Sequence, residues 1–186
     1  KIFFYIDDCK QFGTLPFAGA ARNAFIATKI LRSLVKINIL DEEDLENFYQ
    51  SIPTVTKKMQ SLYKDINNIS IKKKFFELYG HLRPSTYSIS SKNYKENFNE
   101  YFSKKIKVEK YSYKKMRLTK NKERMVNLIF KKHGLNITCK KFLHFASRSI
   151  SLREHAKLIF SKSINEIFIN LIKLSKEVKI SRNDLE

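Results

Sequence analysis

From Ser151 onward the apolar residues Leu152, Ala156, Ile159, Phe160, Ile164, Ile167, Phe168, Leu171, Ile172 and Leu174 recur at spacings that keep them on one side of an α-helix. So wide a stripe cannot face water along its whole length, and it commits the chain to covering it with other elements. The same three-and-four spacing runs through Phe17, Ala20, Ala21, Ala24, Phe25, Thr28, Leu31, Leu34 and Val35, which predicts a helix over 17–39. Only 4 glycines and 3 prolines occur in 186 residues, too few for a collagen-like, linker-like or turn-dense all-β chain. A hydrophobic fraction of 42% with 15 Phe and 9 Tyr excludes wholesale disorder. These features together predict an all-α fold: a single irregular helical domain of about seven to nine helices with long structured loops.

The remaining punctuation places the elements. Lys1 to Ile6 reads as a short strand or an extended lead-in, and Asp7 to Thr14, polar and holding Gly13, as a loop. Pro16 suits a helix's first turn, with Thr14 or Leu15 at the cap. The small residues Ala18, Gly19, Ala20 and Ala21 leave room for a close neighbour. Asp41 and Asp44 cap a helix over 42–51 that Pro53 stops. Thr54 starts another, with Val55, Met59, Leu62, Tyr63 and Ile66 on one face. Ser70 opens a third, which carries Phe75, Phe76 and Leu78 and ends at Gly80 as a C′ residue. His81 to Ser91 breaks the periodicity and reads as a structured loop, and Tyr94 to Phe102 resumes as a short helix.

Residues 103–118 are strongly basic and aperiodic, a mobile linker or a seam between subdomains. A helix runs from Asn121 to His133 and closes at Gly134. Thr138 caps another through Ala146, and Ser151 begins the longest. The expected division is a helical subdomain over 1–103, a basic linker over 104–120, and C-terminal helices over 121–186 that pack back on the first part. The start at Lys1, and Ser181 with Asp184 as a helix cap at the very end, suggest a piece cut from a longer protein.

No apolar run approaches 18 residues, so no membrane span is expected, and Asp7, Asp8 and Lys10 break up anything resembling a secretory leader. Cys9 and Cys139 lack the spacing of a zinc site or a disulfide framework, which points to a reduced, cytoplasmic chain. The net charge of +19 invites a polyanion, but 29 of the 37 basic residues are Lys, whereas specific phosphate and base recognition favours the planar Arg fork. Lys, Ile and Asn together fill 64 of the 186 positions, a bias that A/T-rich codons produce without any ligand. The charge is also uneven: residues 1–56 sum to −1 and residues 57–186 to +20.

Three clusters could carry chemistry. The first, Asp7 to Phe17 with Arg22, brings Asp7, Asp8, Lys10 and Thr14 to the start of a helix, where unpaired N–H groups attract anions and Arg22 can offer a bidentate fork. A salt bridge that merely organises the loop is the plainer alternative. The second, Gly80 to Tyr87, packs His81, Arg83, Ser85, Thr86 and Tyr87 beside Pro84, the inventory for proton transfer or oxyanion binding. A lone loop histidine is equally at home as a hydrogen-bonding strut. The third, Arg153, Glu154, His155 and Lys157, lies on the long helix and reads as a solvated face or an anchor for a loop. His133, His144 and His155 show no ligand spacing, so no metal is expected. Neither a glycine-rich phosphate loop nor a dinucleotide fingerprint occurs, so any nucleotide site lies elsewhere.

The runs Asp7-Asp8-Cys9-Lys10-Gln11-Phe12-Gly13-Thr14-Leu15-Pro16-Phe17-Ala18 with Ala21-Arg22, Tyr79-Gly80-His81-Leu82-Arg83-Pro84-Ser85-Thr86-Tyr87-Ser88-Ile89, and Arg153-Glu154-His155-Ala156-Lys157-Leu158-Ile159-Phe160-Ser161-Lys162 with Ile180-Ser181-Arg182 resemble one family. It is the middle region of the phosphoenolpyruvate-synthase-like phosphotransferases, most nearly the bacterial glutamine-kinase type of capsule phosphoramidate synthesis. The resemblance spans nearly the whole chain, with residues 103–150 matching only in pattern, and the Gly-His-Leu-Arg-Pro loop is its most specific part. Ser85 stands where the family usually has glycine, and the family's carrier-histidine motif is not in this chain.

The resemblance implies a central acceptor-binding domain of an ATP-dependent dikinase-type phosphotransferase that releases AMP and phosphate. Its acceptor would be a small amide or acid such as L-glutamine. An ATP-grasp domain and a phosphohistidine domain of the same parent chain would be its partners. ATP and Mg would belong to the separate nucleotide-binding domain, with no cofactor in this piece, which alone would be inactive. His81 and Asp8 would be catalytic; Asp7, Lys10, Thr14, Arg22, Arg83, Thr86 and Tyr87 would bind substrate; Arg153, Glu154 and Lys157 would support the loops. Of these, Arg22 and Arg83 would hold anionic groups, while Asp7, Asp8 or His81 would orient or deprotonate the acceptor. The alternatives are a basic helical nucleic-acid-binding module, which the lysine-rich make-up disfavours, and a helical domain whose basic face docks acidic proteins.

Overall fold

A reciprocal cap shows how sequence becomes structure here. Asp41 Oδ1 accepts from the Asp44 amide at 2.8 Å and Asp44 Oδ2 accepts from the Asp41 amide at 3.1 Å, which starts α3 (Glu42–Ser51). Asn68 begins α5 (Ile69–Tyr79) by accepting from Ser70 and Ile71, and Thr119 begins α7 (Lys120–Lys132) by accepting from the Lys122 amide. The computed structural model describes residues 1–102 and 117–186, and within them the chain is an all-α domain without strands. Its other helices are α1 (Ile2–Asp8), α2 (Leu15–Lys36), α4 (Val55–Tyr63), α6 (Phe98–Tyr101) and α8 (Cys139–Glu177). A π-helical turn (Cys9–Thr14) joins α1 to α2, and a 3₁₀ turn (Arg182–Leu185) follows α8. Among the described residues no helix is long and apolar enough to cross a membrane.

Several local expectations change. Lys1 to Ile6 and Asp7 to Thr14 are helical, not extended and looped. The wider π turn accommodates Pro16, which has no N–H to give to the turn before it. Gly13 serves packing: a Cβ there would stand 2.6 Å from Phe160 Cβ. Gly80 is right-handed (φ −59°), so it is not a left-handed C′ cap, and a Cβ on it would meet the Phe76 carbonyl oxygen at 2.5 Å. Gly134, at φ +72°, is the expected left-handed stop after α7.

The helices expected to end at Ala146 and to begin at Ser151 are one, α8, since neither Gly nor Pro lies between and Ser149 is buried. Ser151 Oγ donates to the Pro53 carbonyl at 3.1 Å and caps nothing. Within 94–102 only Phe98–Tyr101 is helical, because Asn93 and Glu96 are engaged in a turn. Ser181 Oγ donates to the Asp184 carboxylate and accepts from no helix amide. The basic stretch expected over 103–118 lies, apart from Arg117 and Leu118, outside the described residues.

The chain divides into two compact units. One comprises Lys1–Phe17, Val55–Lys110 and His155–Glu186, the other Ala18–Thr54 and Tyr111–Glu154, so each draws on both sides of the basic stretch. The second unit holds an aliphatic–aromatic core of Leu31, Leu34, Phe48, Ile52, Val126, Phe130 and Phe142 with the small Ala27 and Ala146 between them. Burying each large side chain of this kind contributes about 1.5–3 kcal/mol. The first unit is built on rings instead: Tyr63, Phe75, Phe76, Phe98 and Phe102 lie at centroid separations of 4.8–6.5 Å, Phe98 and Phe102 stacked, Phe75 fully buried. This aromatic base carries the Gly80 loop.

Candidate functional site

The loop after α5 closes on itself. The Tyr94 amide donates to the Leu82 carbonyl at 2.7 Å and the Lys95 amide to the Gly80 carbonyl at 3.1 Å, so residues 80–95 form a stapled Ω-loop. Arg182 fastens its outer part, donating from Nε to the Ile89 carbonyl at 2.6 Å and from Nη2 to the Ser91 carbonyl at 3.0 Å. Its Nη1 lies 3.4 Å from the Glu96 carboxylate.

Inside this loop Arg83 is 6% exposed. Nη2 donates to Asn165 Oδ1 on α8 at 2.7 Å, Nη1 reaches the Ser88 carbonyl at 3.4 Å, and the guanidinium lies over the Phe168 ring at 4.8 Å. Burial, more than any neighbour, lowers its pKa from the usual arginine value. Asn93 is equally buried. Its Oδ1 accepts from the Glu96 amide at 2.8 Å and its Nδ2 donates to the same Asn165 Oδ1 at 3.1 Å. The two donors fix which way the Asn165 carboxamide points.

His81 is half-buried at the start of the loop. Nε2 lies 3.0 Å from the Leu158 carbonyl and 3.1 Å from Ser161 Oγ, while Ser161 Oγ itself donates to that carbonyl at 2.9 Å. A carbonyl oxygen only accepts, so Nε2 carries the proton and Nδ1 is the basic nitrogen. Desolvation, opposed by the Leu158 bond and reinforced by Lys162 and Arg83, pushes its pKa down to about 4. The imidazole is therefore neutral at physiological pH. Beside it opens a cavity of about 300 Å³, whose walls include His81, Asn165, Glu77, Lys95, Lys162 and Glu166.

The remaining sequence candidates are distributed as follows. Asp8 accepts from Ser163 Oγ at 2.8 Å, two residues along α8 from the Ser161 that meets His81, and makes no bond to His81 itself. Asp7 and Lys10 are exposed on α1 and the π turn, and Thr14 Oγ1 donates back to the Lys10 carbonyl at 3.2 Å. Thr86 is half-buried in the loop, and Tyr87 is 65% exposed with Lys157 Nζ over its ring at 5.9 Å. Arg22, Arg153 and Glu154 belong to the second unit, where Arg153 lies over Phe25 at 5.3 Å. The first unit thus gathers His81, Arg83 and Asp8 against the C-terminal half of α8, the helix that also carries Lys157.

Asn93, Ser161, Lys162, Asn165 and Glu166 were not among the sequence candidates. Ser161 and Asn165 did leave a signal: polar residues four apart on a helix whose neighbours Phe160, Ile164 and Phe168 are apolar, both of them buried. Among the described residues no three His, Cys, Asp or Glu side chains cluster as metal ligands.

No model of a known protein family matches the chain, and no curated protein or solved structure is significantly similar to it.

Proposed function

We propose that this chain is the acceptor-binding domain of an ATP-dependent, dikinase-type phosphotransferase and that the cavity beside His81 receives a small amide or acid such as L-glutamine. The observation that carries the reading is a neutral imidazole, held through Nε2, that lines a cavity together with Asn165, Lys162 and Glu166. In such a site the acceptor's nucleophilic atom attacks a phosphoryl group brought on a histidine of a partner domain. The phosphorus–nitrogen bond to that histidine breaks, and the proton lost by the acceptor passes to Nδ1 of His81. Lys95 and Lys162 offset negative charge that develops on the transferred group. Arg83 supports the site from behind.

In this reading ATP and its Mg bind a separate ATP-grasp domain of the parent chain, in the cytoplasm. The test is His81→Gln in the parent enzyme, since the glutamine amide can still donate to the Leu158 carbonyl. Formation of phosphohistidine from ATP should persist, while phosphoryl transfer to L-glutamine falls about 10²–10⁴-fold. Transfer that is undiminished in this variant excludes His81 as the base.

A further inference from the structure

The cavity in the first unit carries an arrangement that the resemblance does not supply. Glu77, Glu166, Lys95 and Lys162 all line it, two carboxylates and two ammonium groups, yet no ion pair joins any of them to one another or to other described residues. Glu77, Lys95 and Lys162 are exposed and Glu166 half-buried, so both signs of charge are open to a ligand that carries both. The same lining includes Asn165, whose Oδ1 is occupied by Arg83 Nη2 and Asn93 Nδ2. A carboxamide held by its oxygen presents its NH₂ on the other side, and Asn165 Nδ2 has no partner among the described residues. The orientation is fixed twice over, because Asn93 is itself locked by the Glu96 amide.

We infer that Asn165 is the recognition residue of this cavity, that it donates to the carboxylate of a small zwitterionic ligand whose ammonium group meets Glu77 or Glu166, and that Arg83 is a positioning residue that never touches the ligand. The inference rests on the acceptor-site reading for its place in a reaction, and it moves Arg83 from the substrate to the wall behind it. Lys162 and Lys95 add positive charge to the same lining. The volume, about 300 Å³, is at the small end of ligand pockets and suits one amino acid with a short side chain.

The test is a titration of the whole chain, followed through the Asn165 side-chain NH₂ and the backbone amides of 80–95. The probes are L-alanine, L-glutamine, and two controls lacking one charge each, propionate and L-alaninamide. The expected result is saturable movement of the Asn165 NH₂ resonances with at least one amino acid and little with either control. Asn165→Asp is nearly isosteric and keeps its bond to Arg83, yet removes the donor, so it should weaken binding by at least about ten-fold with the fold intact. Arg83→Lys should shift the Asn165 NH₂ resonances before any ligand is added, which a residue outside that contact would not do. Propionate binding as tightly as L-alanine, an unaltered affinity in Asn165→Asp, or silence of the Asn165 NH₂ with every probe overturns the inference. Movement of His81–Tyr87 with L-glutamine while Asn165 stays silent would retain the acceptor reading and reject this one. Binding of L-alanine without L-glutamine would do the reverse.

Discussion

Arg83 and Asn165 are joined by a 2.7 Å hydrogen bond across 82 residues of sequence, and both are almost wholly buried. The bond ties the Ω-loop after α5 to the face of α8 and aims the Asn165 amide. The guanidinium also lies over Phe168, so the residue contributes a flat stacked surface as well as its donors.

Arg83→Lys should therefore not be conservative. A lysine has neither the planar fork nor the stacking face, and it leaves the Ser88 carbonyl short of a donor. The expected cost is about 1–3 kcal/mol in urea unfolding, and Arg83→Ala should cost no less.

The neutrality of His81 predicts a pH dependence. An ordinary histidine titrates near 6.5, and the folded side chain near 4. Below 6.5 the unfolded chain takes up the proton first, so stability is full above that value and declines as the pH falls toward 4. The decline attributable to His81 is up to about 3 kcal/mol. Urea midpoints across this window, compared with those of His81→Gln, isolate the contribution; equal slopes in the two proteins would contradict it.

Two glycines in neighbouring turns should respond oppositely to alanine. At Gly13 the new methyl would press on Phe160 Cβ at 2.6 Å, and the expected loss is about 1–3 kcal/mol. At Gly19 nothing lies within 4 Å, and a helical glycine replaced by alanine should gain about 0.5–1 kcal/mol. Thermal unfolding of the two variants provides the comparison.

The cysteines should be silent in the native protein. Cys139 is 2% exposed, and burial, with Glu123 nearby, raises its thiol to about 11; Cys9 is buried beside Gly13 and raised for the same chief reason, desolvation. A thiol-exchange reagent at mildly alkaline pH should label both only after denaturation, because the thiolate is the reactive form. Fast labelling of the folded chain would show that these helices open readily.

The helical class was legible because periodicity is a local signal: the stripes on α2 and α8 and the Asp41–Asp44 cap read directly. The N-terminal segment was not, since Phe3 and Phe4 are 82% and 69% exposed and show no amphipathic period to announce α1. Ser151 resembled a cap because its alternative partner, the Pro53 carbonyl, lies far away in sequence. The same limit applied at the site. His81 and Arg83 stood out as a dense cluster, whereas Asn93 and Asn165 acquire meaning only when the loop folds onto α8, 72 residues apart in sequence yet sharing one hydrogen bond.

The most direct test of the central claim, that the Gly80 loop and α8 form an acceptor site, is a titration of the isotopically labelled chain with L-glutamine and, separately, with a random-sequence DNA duplex at near-physiological salt. Saturable shifts with glutamine are expected at His81–Tyr87 and Asn165, and none of comparable size with the duplex. Silence of these residues with glutamine, together with salt-sensitive duplex binding spread over the lysine-rich surface after residue 57, would contradict it and make the charge of +19 the functional feature.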